Sequence, residues 1–368
     1  MIGPAERECA PPLTPRHSRS DEPAGQLPKT TTSAQRYDFR QIIHSDQWRI
    51  PQAALPTSSV YTSWQWGEYK RRQGWSVRRI AIHGADTEEL IGCAQVQLRR
   101  IGPGRVIHLQ GGVHSMDSSE EVLVRAISEL LDLHLKIRTT DVVLISPHAQ
   151  LSTQLEIALL RLGFSPTVSS RMYSYAVDTS QSLLVLEKGL SKNWRHNLRR
   201  ARNNDQLSVK WVTDHEERRR ALRRLRDMYA TLTQRKSFAG AIDMSTDTDW
   251  METDHGFEIV EAALAGEVVA ARVVYVANDH VMDFLAASAE RAKNIYATYA
   301  LMWAVIEKAV ALQKRFVECG GIDPNGNPGV FNFKKGLGGR PILLGPLWLH
   351  TQSRFLRTVV RTWIARSW

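Results

Sequence analysis

Cysteine is scarce in this sequence: its 368 residues include only Cys9, Cys93 and Cys319, which lie far apart. An odd number of widely spaced cysteines suits neither a disulfide framework nor a zinc site, and it fits a reducing cytoplasm. No uncharged apolar run reaches 18 residues, and no charged-then-apolar opening predicts a signal peptide. A Walker loop, an H-E-x-x-H motif and a catalytic triad are also missing. These absences predict a cytoplasmic protein without a metal centre.

Positive charge is abundant by contrast, with a formal net charge of +10 and an isoelectric point near 9.6. Such an excess favours anionic partners, which include nucleic acids, phosphorylated metabolites and acidic membranes, and it does not choose among them. The charge is concentrated: residues 188–226 contain thirteen Lys and Arg against four Asp and Glu. This segment is the first place to look for an anion-binding surface.

A helix is predicted over residues 191–202, within the stretch SKNWRHNLRRARNN. Trp194, Leu198 and Ala201 recur at helical spacing and predict a buried stripe. The remaining positions are largely basic, and they present either a solvated face or a surface for tRNA phosphates. The candidate phosphate-binding residues are Lys192, Arg195, Arg199, Arg200 and Arg202.

The chain divides into four predicted regions. Residues 1–36 contain six prolines and seven Ser or Thr, which predicts a disordered tail. Residues 37–180 and 181–350 form two α/β halves, each with the order hairpin, strand, helix, strand. That order is also found in acetyltransferase folds, an analogy rather than a derivation. Residues 351–368 form a basic amphipathic C-terminal helix.

Four motifs in the second half resemble those of one family. Each motif is weak alone, but together they occur in order over some 150 residues. They are SKNWRHNLRRARNN, YATLTQRKSF, IYATYALMWAVIEKA and FVECGGIDPNGNPGVFNFKKGLGG. In order and spacing they resemble the Fem family, the aminoacyl-tRNA-dependent transferases that build peptidoglycan cross-bridges.

The resemblance implies a fold and an activity. The fold is α/β with mixed sheets, built as two tandem acetyltransferase-like (GNAT) domains. The activity is transfer of an amino acid from aminoacyl-tRNA to an amine of a peptidoglycan-precursor stem peptide, which serves cell-wall biogenesis and cell shape. The precursor is lipid-linked or nucleotide-linked. No cofactor, metal or covalent enzyme intermediate is implied, and we expect a cytoplasmic monomer.

The resemblance also implies site residues. The Phe-Lys pair of the last motif corresponds to Phe333 and Lys334, whose lysine is associated with the tRNA end and the reacting ester. A positioned cation stabilises the negative charge that develops on the former carbonyl oxygen, and nearby glycines permit close backbone approach. The implied residues for substrate binding are Arg235, Lys70, Trp66, Tyr296 and Tyr299.

Two departures from the family pattern stand out. Some members have an acidic residue at the end of the middle strand of the first domain, whereas this sequence has Ser146 there. The general base is therefore not identified. The stretch from Phe238 to Phe257 is also too short for the antiparallel coiled-coil arm of other members, so we expect a fold without that arm.

Other functions stay open at the sequence level. An acetyl-CoA-dependent N-acyltransferase would use small residues for a pyrophosphate loop, but the matching stretch, RAKNIYATYAL, has Asn294 and Tyr296 in their place. A Fem-like enzyme acting on a secondary metabolite is a further alternative. The non-enzyme alternative is an RNA-binding module on residues 188–226, although few aromatic residues there could stack bases.

The C-terminal segment SRFLRTVVRTWIARSW (353–368) predicts an amphipathic helix. Its apolar face contains Phe355, Val359 and Trp363 among others, and its arginines lie mostly elsewhere. Two interpretations follow: the helix docks on the body of the protein, or it contacts an anionic membrane at the inner membrane face.

Overall fold

The computed structural model describes most of the chain from Tyr37 onward. The disordered tail predicted for residues 1–36 lies outside the described residues. The described ranges are 37–54, 59–115, 119–148, 151–167, 173–236, 249–252 and 256–367.

The first sheet has eight strands in the order β1-β2-β3-β4-β6-β15-β7, with β5 paired to β3. All its pairs are antiparallel except β4 with β6, which are joined by a helical crossover. The strands are β1 (Tyr37–Ile42), β2 (Ser76–Gly84), β3 (Leu90–Ile101), β4 (Gly104–Gln110), β5 (Val113–Ser115), β6 (Val142–Ser146), β7 (Ser165–Thr167) and β15 (Leu347–His350).

The second sheet repeats this plan with seven strands in the order β14-β8-β13-β12-β11-β10-β9. Its one parallel pair, β12 with β13, is again joined by a helix. The strands are β8 (Tyr173–Asp178), β9 (Leu207–Val212), β10 (Phe257–Leu264), β11 (Glu267–Val276), β12 (His280–Ser288), β13 (Phe316–Gly321) and β14 (Arg340–Leu343).

Two strands lie in the opposite half from the one that the sequence predicts. The sequence assigns the strand at 173–178 to the close of the first half, but β8 pairs with β13 and β14 of the second sheet. Conversely, β15 returns to the first sheet, between β6 and β7. The predicted boundary at 180/181 therefore does not separate the two sheets, and the domain division stays a prediction.

The helices cover the faces of both sheets. Short 3-10 segments precede α2 and α8, and a π-helical turn follows α3. The helices are α1 (Ser45–Ala54), α2 (Trp64–Arg72), α3 (Glu120–Glu129), α4 (Thr153–Arg161), α5 (Leu183–Gly189), α6 (Lys192–Arg202), α7 (His215–Lys236), α8 (Ala297–Ala311), α9 (Pro328–Lys335) and α10 (Arg354–Ser367).

The stretch GVFNFKKGLGG (329–339) contains a helix, although its alternating aromatic residues and its glycines would also fit a strand followed by a turn. Pro328 occupies the first turn of α9, and the side chain of Asn327 accepts a hydrogen bond from the Val330 amide (3.4 Å). Proline is favourable there because the first amides of a helix need no intrahelical partner. The N-terminal cap thus favours a helix over a strand, and Lys334 and Lys335 lie in the last turn of this helix.

Cores lie on both faces of the second sheet. α6 and α8 pack on one face, and the predicted stripe of Trp194, Leu198 and Ala201 is buried there. α7 and α2 pack on the other face, where Trp66 and Tyr69 of α2 contact Trp250. An aromatic cluster therefore joins a helix of the first half to the second sheet.

α10 docks on the first sheet, as one of the two sequence interpretations predicts. Ile364 is fully buried and Val360 partly buried against a small core that includes Leu144 and Leu349. Phe355 and Trp363 stay 75% and 53% exposed. Across the described ranges, no helix is both long and apolar enough to cross a membrane.

Candidate functional site

A cavity of 1590 Å³ lies where residues of the two sheets face each other. Its walls include the ends of β4, β6 and β13 and most of β12. In open α/β sheets, ligands bind beyond the carboxyl ends of parallel strands, and the two parallel pairs among the described strands end at the cavity. The volume exceeds the roughly 300–1,000 Å³ of a typical small-molecule pocket.

Lys334 lies in the cavity wall at the end of α9. The position of this helix is fixed from α6, because the indole Nε1 of Trp194 donates a hydrogen bond to the Phe333 carbonyl (3.1 Å). Gly336 permits the close contact: a Cβ there would lie 2.8 Å from Cδ1 of Trp194. The basic helix and the lysine-bearing helix thus form one packed unit.

The ammonium of Lys334 faces the end of β13. Its Nζ donates a hydrogen bond to the Gly321 carbonyl (2.7 Å), and a Cβ on Gly320 would lie 3.3 Å from it. Gly320 has φ of +75°, in the left-handed region that favours glycine. Burial lowers the pKa of Lys334, and the charges of Asp283 and Glu318 oppose that decrease. The protein therefore provides negative charge beside this cation.

Glu318 is a buried carboxyl in the same wall. The Ser174 hydroxyl donates to its Oε1, as does the Gly320 amide (2.8 Å). Burial raises the pKa of Glu318, while Ser174 and neighbouring charges, including Lys334, act in the opposite direction. The carboxyl links the turn at Gly320 to β8, so it shapes the backbone in front of Lys334.

An ion pair between Arg272 and Asp283 lies next to this group. Nη1 of Arg272 donates to Oδ2 of Asp283, and the two side chains are 6% and 10% exposed. Both residues line the cavity. Buried charges are stable in proteins when they are paired or hydrogen-bonded. Arg272 and Asp283 are each other's counter-ion.

Lys70 is the second lysine in the cavity wall, and its surroundings are aromatic. Its Nζ lies 5.0 Å from the ring centroid of Trp66, 5.6 Å from that of Tyr69 and 6.0 Å from that of Trp75. Burial, with a smaller contribution from Arg99, lowers the pKa of Lys70 to about 8. The rings attract the cation through their π faces, but they do not neutralise it.

The strand ends of the first sheet supply uncharged polar groups. The Trp66 indole donates to Oε1 of Gln110 (3.0 Å), and Nε2 of His108 is hydrogen-bonded to the Ser146 hydroxyl (2.7 Å). Burial above all, together with the charges of Lys70 and His148, lowers the pKa of His108 to about 3. His108 is therefore neutral at pH 7, and Ser146 is hydrogen-bonded to a neutral imidazole.

The site residues predicted from the sequence divide into those that line the cavity and those that do not. Trp66, Lys70, Tyr299, Phe333 and Lys334 all line the one cavity. Trp66 is also a core residue, since it is 2% exposed.

Tyr296 is not among the residues that line the cavity. It has φ of 57° before α8, and its hydroxyl accepts a hydrogen bond from Arg200 (2.6 Å). Arg235 lies in the last turn of α7, and its side chain is outside the described part of the structure.

The basic residues of α6 lie on an exposed surface rather than in the cavity. All five are exposed, and two of them have protein partners. Arg200 contacts Tyr296, and Arg202 pairs with Glu187 (2.8 Å). α6 therefore presents a row of cations to solvent, and it also holds α9 through the Trp194 hydrogen bond. It fits a polyanion contact next to the cavity.

Sequence reasoning missed Arg272, Asp283 and Glu318. A signal was present, because each is a lone charged residue within an otherwise apolar or small-residue strand, as in VVAARVVYV, HVMDFLAAS and FVECGG. Charged residues are almost never fully buried unless they are paired or functional. No metal-binding cluster occurs among the described residues.

Comparison with known proteins identifies the fold. Residues 188–335 match the family described as "Acetyltransferase (GNAT) domain". The chain is similar in structure to FemX, with a TM-score of 0.73 and 15% identity over 88% of this chain and all of that one. The predicted fold of two tandem GNAT-like domains with mixed sheets is thereby confirmed, and the described part shows no coiled-coil arm.

Two further structures are more distant. A conserved protein of unknown function from Bacteroides thetaiotaomicron has a TM-score of 0.54 at 12% identity, covering 84% of this chain and 98% of that one. A tandem GNAT protein from the clavulanic acid biosynthesis pathway has a TM-score of 0.51 at 10% identity, covering 86% of this chain and 99% of that one. No curated protein matches the sequence. Fold and family profile together support an acyltransferase.

Proposed function

We propose that this acyltransferase moves an amino acid from aminoacyl-tRNA to an amine of a peptidoglycan-precursor stem peptide or a related peptide. The observation that supports this best is the position of Lys334. It is a partly buried cation at the wall of a large cavity, fixed by the same helix that presents an exposed row of basic residues. One packed unit would thus contact both the tRNA backbone and the reacting ester.

The reaction requires little beyond positioning. The acceptor nitrogen attacks the ester carbonyl carbon, the bond to the 3′ oxygen of the tRNA breaks, and a proton passes from the amine to that oxygen. Lys334 is placed to stabilise the negative charge on the carbonyl oxygen in the transition state. The cavity has room to orient two substrates, which lowers the entropic part of the barrier.

The acceptor side of the cavity is assigned to Lys70. Its neighbouring rings provide no formal negative charge, so an anionic ligand group would improve its environment. A phosphate of a nucleotide-linked or lipid-linked precursor has the right charge. The proton-accepting group of the amine stays unassigned, because the pKa of His108 is too low for an efficient base at pH 7.

An acetyl-CoA-dependent activity is the second candidate, because the matched family is described by its acetyltransferase domain. The local structure is less favourable to it. Tyr296 stands before α8 in a left-handed conformation, with its side chain bound to Arg200. A bulky residue at this helix start hinders the backbone approach that a pyrophosphate needs. A Fem-like enzyme that modifies a secondary metabolite differs only in its acceptor.

The test is a transfer assay with the purified full chain. A complete set of radiolabelled aminoacyl-tRNAs is combined with nucleotide-linked and lipid-linked stem-peptide precursors, with acetyl-CoA in parallel reactions. We expect label from at least one tRNA to appear in an amide product. Consumption of acetyl-CoA with no label transfer from any tRNA would overturn the proposal. RNA binding with no preference for a charged 3′ end, and no transfer, would favour an RNA-binding module instead.

The proposal includes peripheral contact with an anionic membrane, for which α10 is the candidate element. Phe355, Val359 and Trp363 are exposed on this helix, which also bears arginines and no acidic residue. Val359 and Trp363 line the cavity as well, so the cavity would open toward a lipid-linked acceptor. Phe355→Ser with Trp363→Ser should abolish sedimentation with phosphatidylglycerol vesicles. Sedimentation equal to that of the wild type would exclude this role.

A further inference from the structure

The strongest unassigned feature of the cavity is Asp283. One carboxylate oxygen, Oδ2, is paired with Arg272. The other, Oδ1, is buried and accepts no hydrogen bond from any described residue. A buried acceptor without a donor costs free energy, and this one belongs to a residue that lines the cavity. Nε of Arg272 is likewise buried without an acceptor among the described residues, so the ion pair leaves one donor and one acceptor for a ligand that enters the cavity.

A β-bulge determines which way Asp283 points. The register between β11 and β12 shifts so that Val273 faces Leu285 and Val274 faces Asp283, which leaves Phe284 as the extra residue. Without the bulge, Asp283 would lie opposite the next residue of β11 and on the other face of the sheet. The bulge therefore places the carboxylate on the face of Arg272.

Asp283 also lies next to the reacting group of the proposed mechanism. The last parallel pair between β12 and β13 is Met282 with Glu318, so the strands separate from Asp283 onward. A Cβ built on Gly320 would lie 3.1 Å from the Asp283 backbone carbonyl and 3.3 Å from Nζ of Lys334. The Asp283 backbone and the lysine thus flank one turn, and the Asp283 carboxylate is near enough for its charge to act on the pKa of Lys334.

We propose that Asp283 binds the α-ammonium group of the aminoacyl donor and so selects an α-amino acid ester over a plain acyl group. In an aminoacyl ester, the α-ammonium is attached to the carbon next to the reacting carbonyl. A donor whose carbonyl oxygen faces Lys334 therefore presents its ammonium within reach of the same turn. Acetyl and other simple acyl groups lack this cation and would leave Oδ1 without a donor.

The inference rests on the proposed function, and it adds the donor class that the site recognises. Arg272 has a positioning role in it: the guanidinium binds Oδ2 and orients Oδ1. The ion pair also gives this buried carboxylate a counter-charge before the donor arrives. The neighbouring Glu318 accepts hydrogen bonds from Ser174 and the Gly320 amide at Oε1, and burial raises its pKa, so Asp283 is the better counter-charge for the ammonium.

The experiment begins with the wild-type protein and two forms of one donor. The first is the aminoacyl-tRNA that the transfer assay identifies, and the second is the same tRNA after nitrous acid has replaced the α-ammonium by a hydroxyl. We expect kcat/KM to be about 10- to 100-fold higher for the amino form, as for loss of one charge-assisted hydrogen bond. Equal values for the two donors would overturn the inference without any variant.

Variants then locate the effect. Asp283→Asn should lower kcat/KM for the amino donor about 10- to 100-fold more than for the hydroxy donor, because the loss of charge beside Lys334 affects both donors alike. The matched control is Asp279→Asn, the same change at a carboxylate that pairs with His280 and Arg315 and does not line the cavity. The control should keep the full preference, whereas an unchanged preference in Asp283→Asn would contradict the inference.

Failure of the inference and failure of the proposed function give different results. If no aminoacyl-tRNA donates to any acceptor, the proposed function fails and the inference fails with it. If transfer occurs but the amino and hydroxy donors react equally, only the assignment of Asp283 fails. If Asp283→Asn does not fold, the comparison of donors on the wild-type protein still decides.

Discussion

Two partly buried lysines line the same cavity, and their surroundings differ. Lys334 lies beside Asp283 and Glu318, whose charges offset the effect of burial on its pKa. Lys70 lies among three aromatic rings, and the only charge that contributes to its lowered pKa is that of Arg99, which has the same sign. Among the described residues, the second half of the molecule therefore supplies a counter-charge to its lysine, and the first half supplies none to Lys70.

This difference separates two roles for a cation. A lysine with protein carboxylates beside it is favoured in its charged form, which can stabilise an oxyanion that exists only in the transition state. A lysine without a counter-ion gains most from a ligand that brings a permanent negative charge. We therefore expect Lys334 to act on the reaction and Lys70 to act on binding of the acceptor.

The largest expected effect separates these roles by kinetics. Lys334→Met should lower kcat by about 10²- to 10³-fold, as loss of one oxyanion donor does in other enzymes. Lys70→Met should instead raise the acceptor KM about tenfold and change kcat less, because it removes a binding contact. Steady-state kinetics with aminoacyl-tRNA and precursor would measure both.

Lys335, the next residue in the chain, provides the control for Lys334→Met. Lys335 is exposed, lies 5.8 Å from the Phe331 ring centroid and does not line the cavity. Lys335→Met should retain kcat within about twofold, as surface substitutions usually do. Circular dichroism would confirm that all three variants fold. Full activity in a folded Lys334→Met protein would remove the assigned role.

A pH series tests the charge of Lys70. Because its pKa is lowered to about 8, the protonated fraction falls between pH 7 and pH 9, and anion binding should weaken as the pH rises. Lys70→Arg stays charged throughout this range. The ratio of wild-type to variant kcat/KM for the acceptor should fall about tenfold from pH 7 to pH 9. The ratio cancels the titration of the acceptor amine, and a constant ratio would refute the assignment.

The exposed cations of α6 should make tRNA binding dependent on salt. Arg195 and Arg199 of α6 are exposed, so their contacts with tRNA phosphates should be screened by salt. Arg195→Gln with Arg199→Gln should reduce the slope of log affinity against log salt by about 1.4–1.8. Between 50 and 200 mM salt, the wild type should lose about seven- to twelvefold more affinity for tRNA than the double variant.

The control for this measurement lies on the same helix. Arg202 is ion-paired with Glu187, so Arg202→Gln should change the slope less than either of the other two substitutions alone. Filter binding of uncharged tRNA across a salt series would measure all of these slopes. An unchanged slope in the double variant would show that α6 is only a solvated basic face.

The sequence predicted the element order well, because apolar periodicity and capping residues are local signals. It missed the exchange of β8 and β15 between the sheets, since pairing partners distant in the chain leave no local pattern. It also missed the helix at 328–335, where a proline and an asparagine cap outweigh the apolar pattern. Strand assignment from short apolar runs is limited in this way.

The candidate site could be predicted only in part. Lys334 and Lys70 came from a resemblance in motif order, and the structure brings both to one cavity. Asp283 could not be placed there from sequence, because its orientation depends on a one-residue bulge in β12. The tRNA-binding and substrate-binding roles of the named residues stay predictions until transfer is measured.

The smallest expected effect tests whether α6 fixes the position of Lys334. The Trp194 indole is the only part of that side chain able to donate a hydrogen bond, and its acceptor is the Phe333 carbonyl next to Lys334. Trp194→Phe keeps an aromatic ring in the core and removes the donor, which should cost about 1–2 kcal/mol of folding free energy. Chemical denaturation would measure that cost.

If α6 also positions the lysine, kcat should fall about threefold in Trp194→Phe while the donor KM stays constant, because α9 shifts and the tRNA contacts remain. Leu198→Ala is the matched control, since it destabilises the same helix in the same core without a bond to α9. It should lower stability by about 2–5 kcal/mol. An equal loss of kcat in both variants, measured well below their unfolding midpoints, would mean that general loosening of α6, and not the bond to Phe333, limits the reaction.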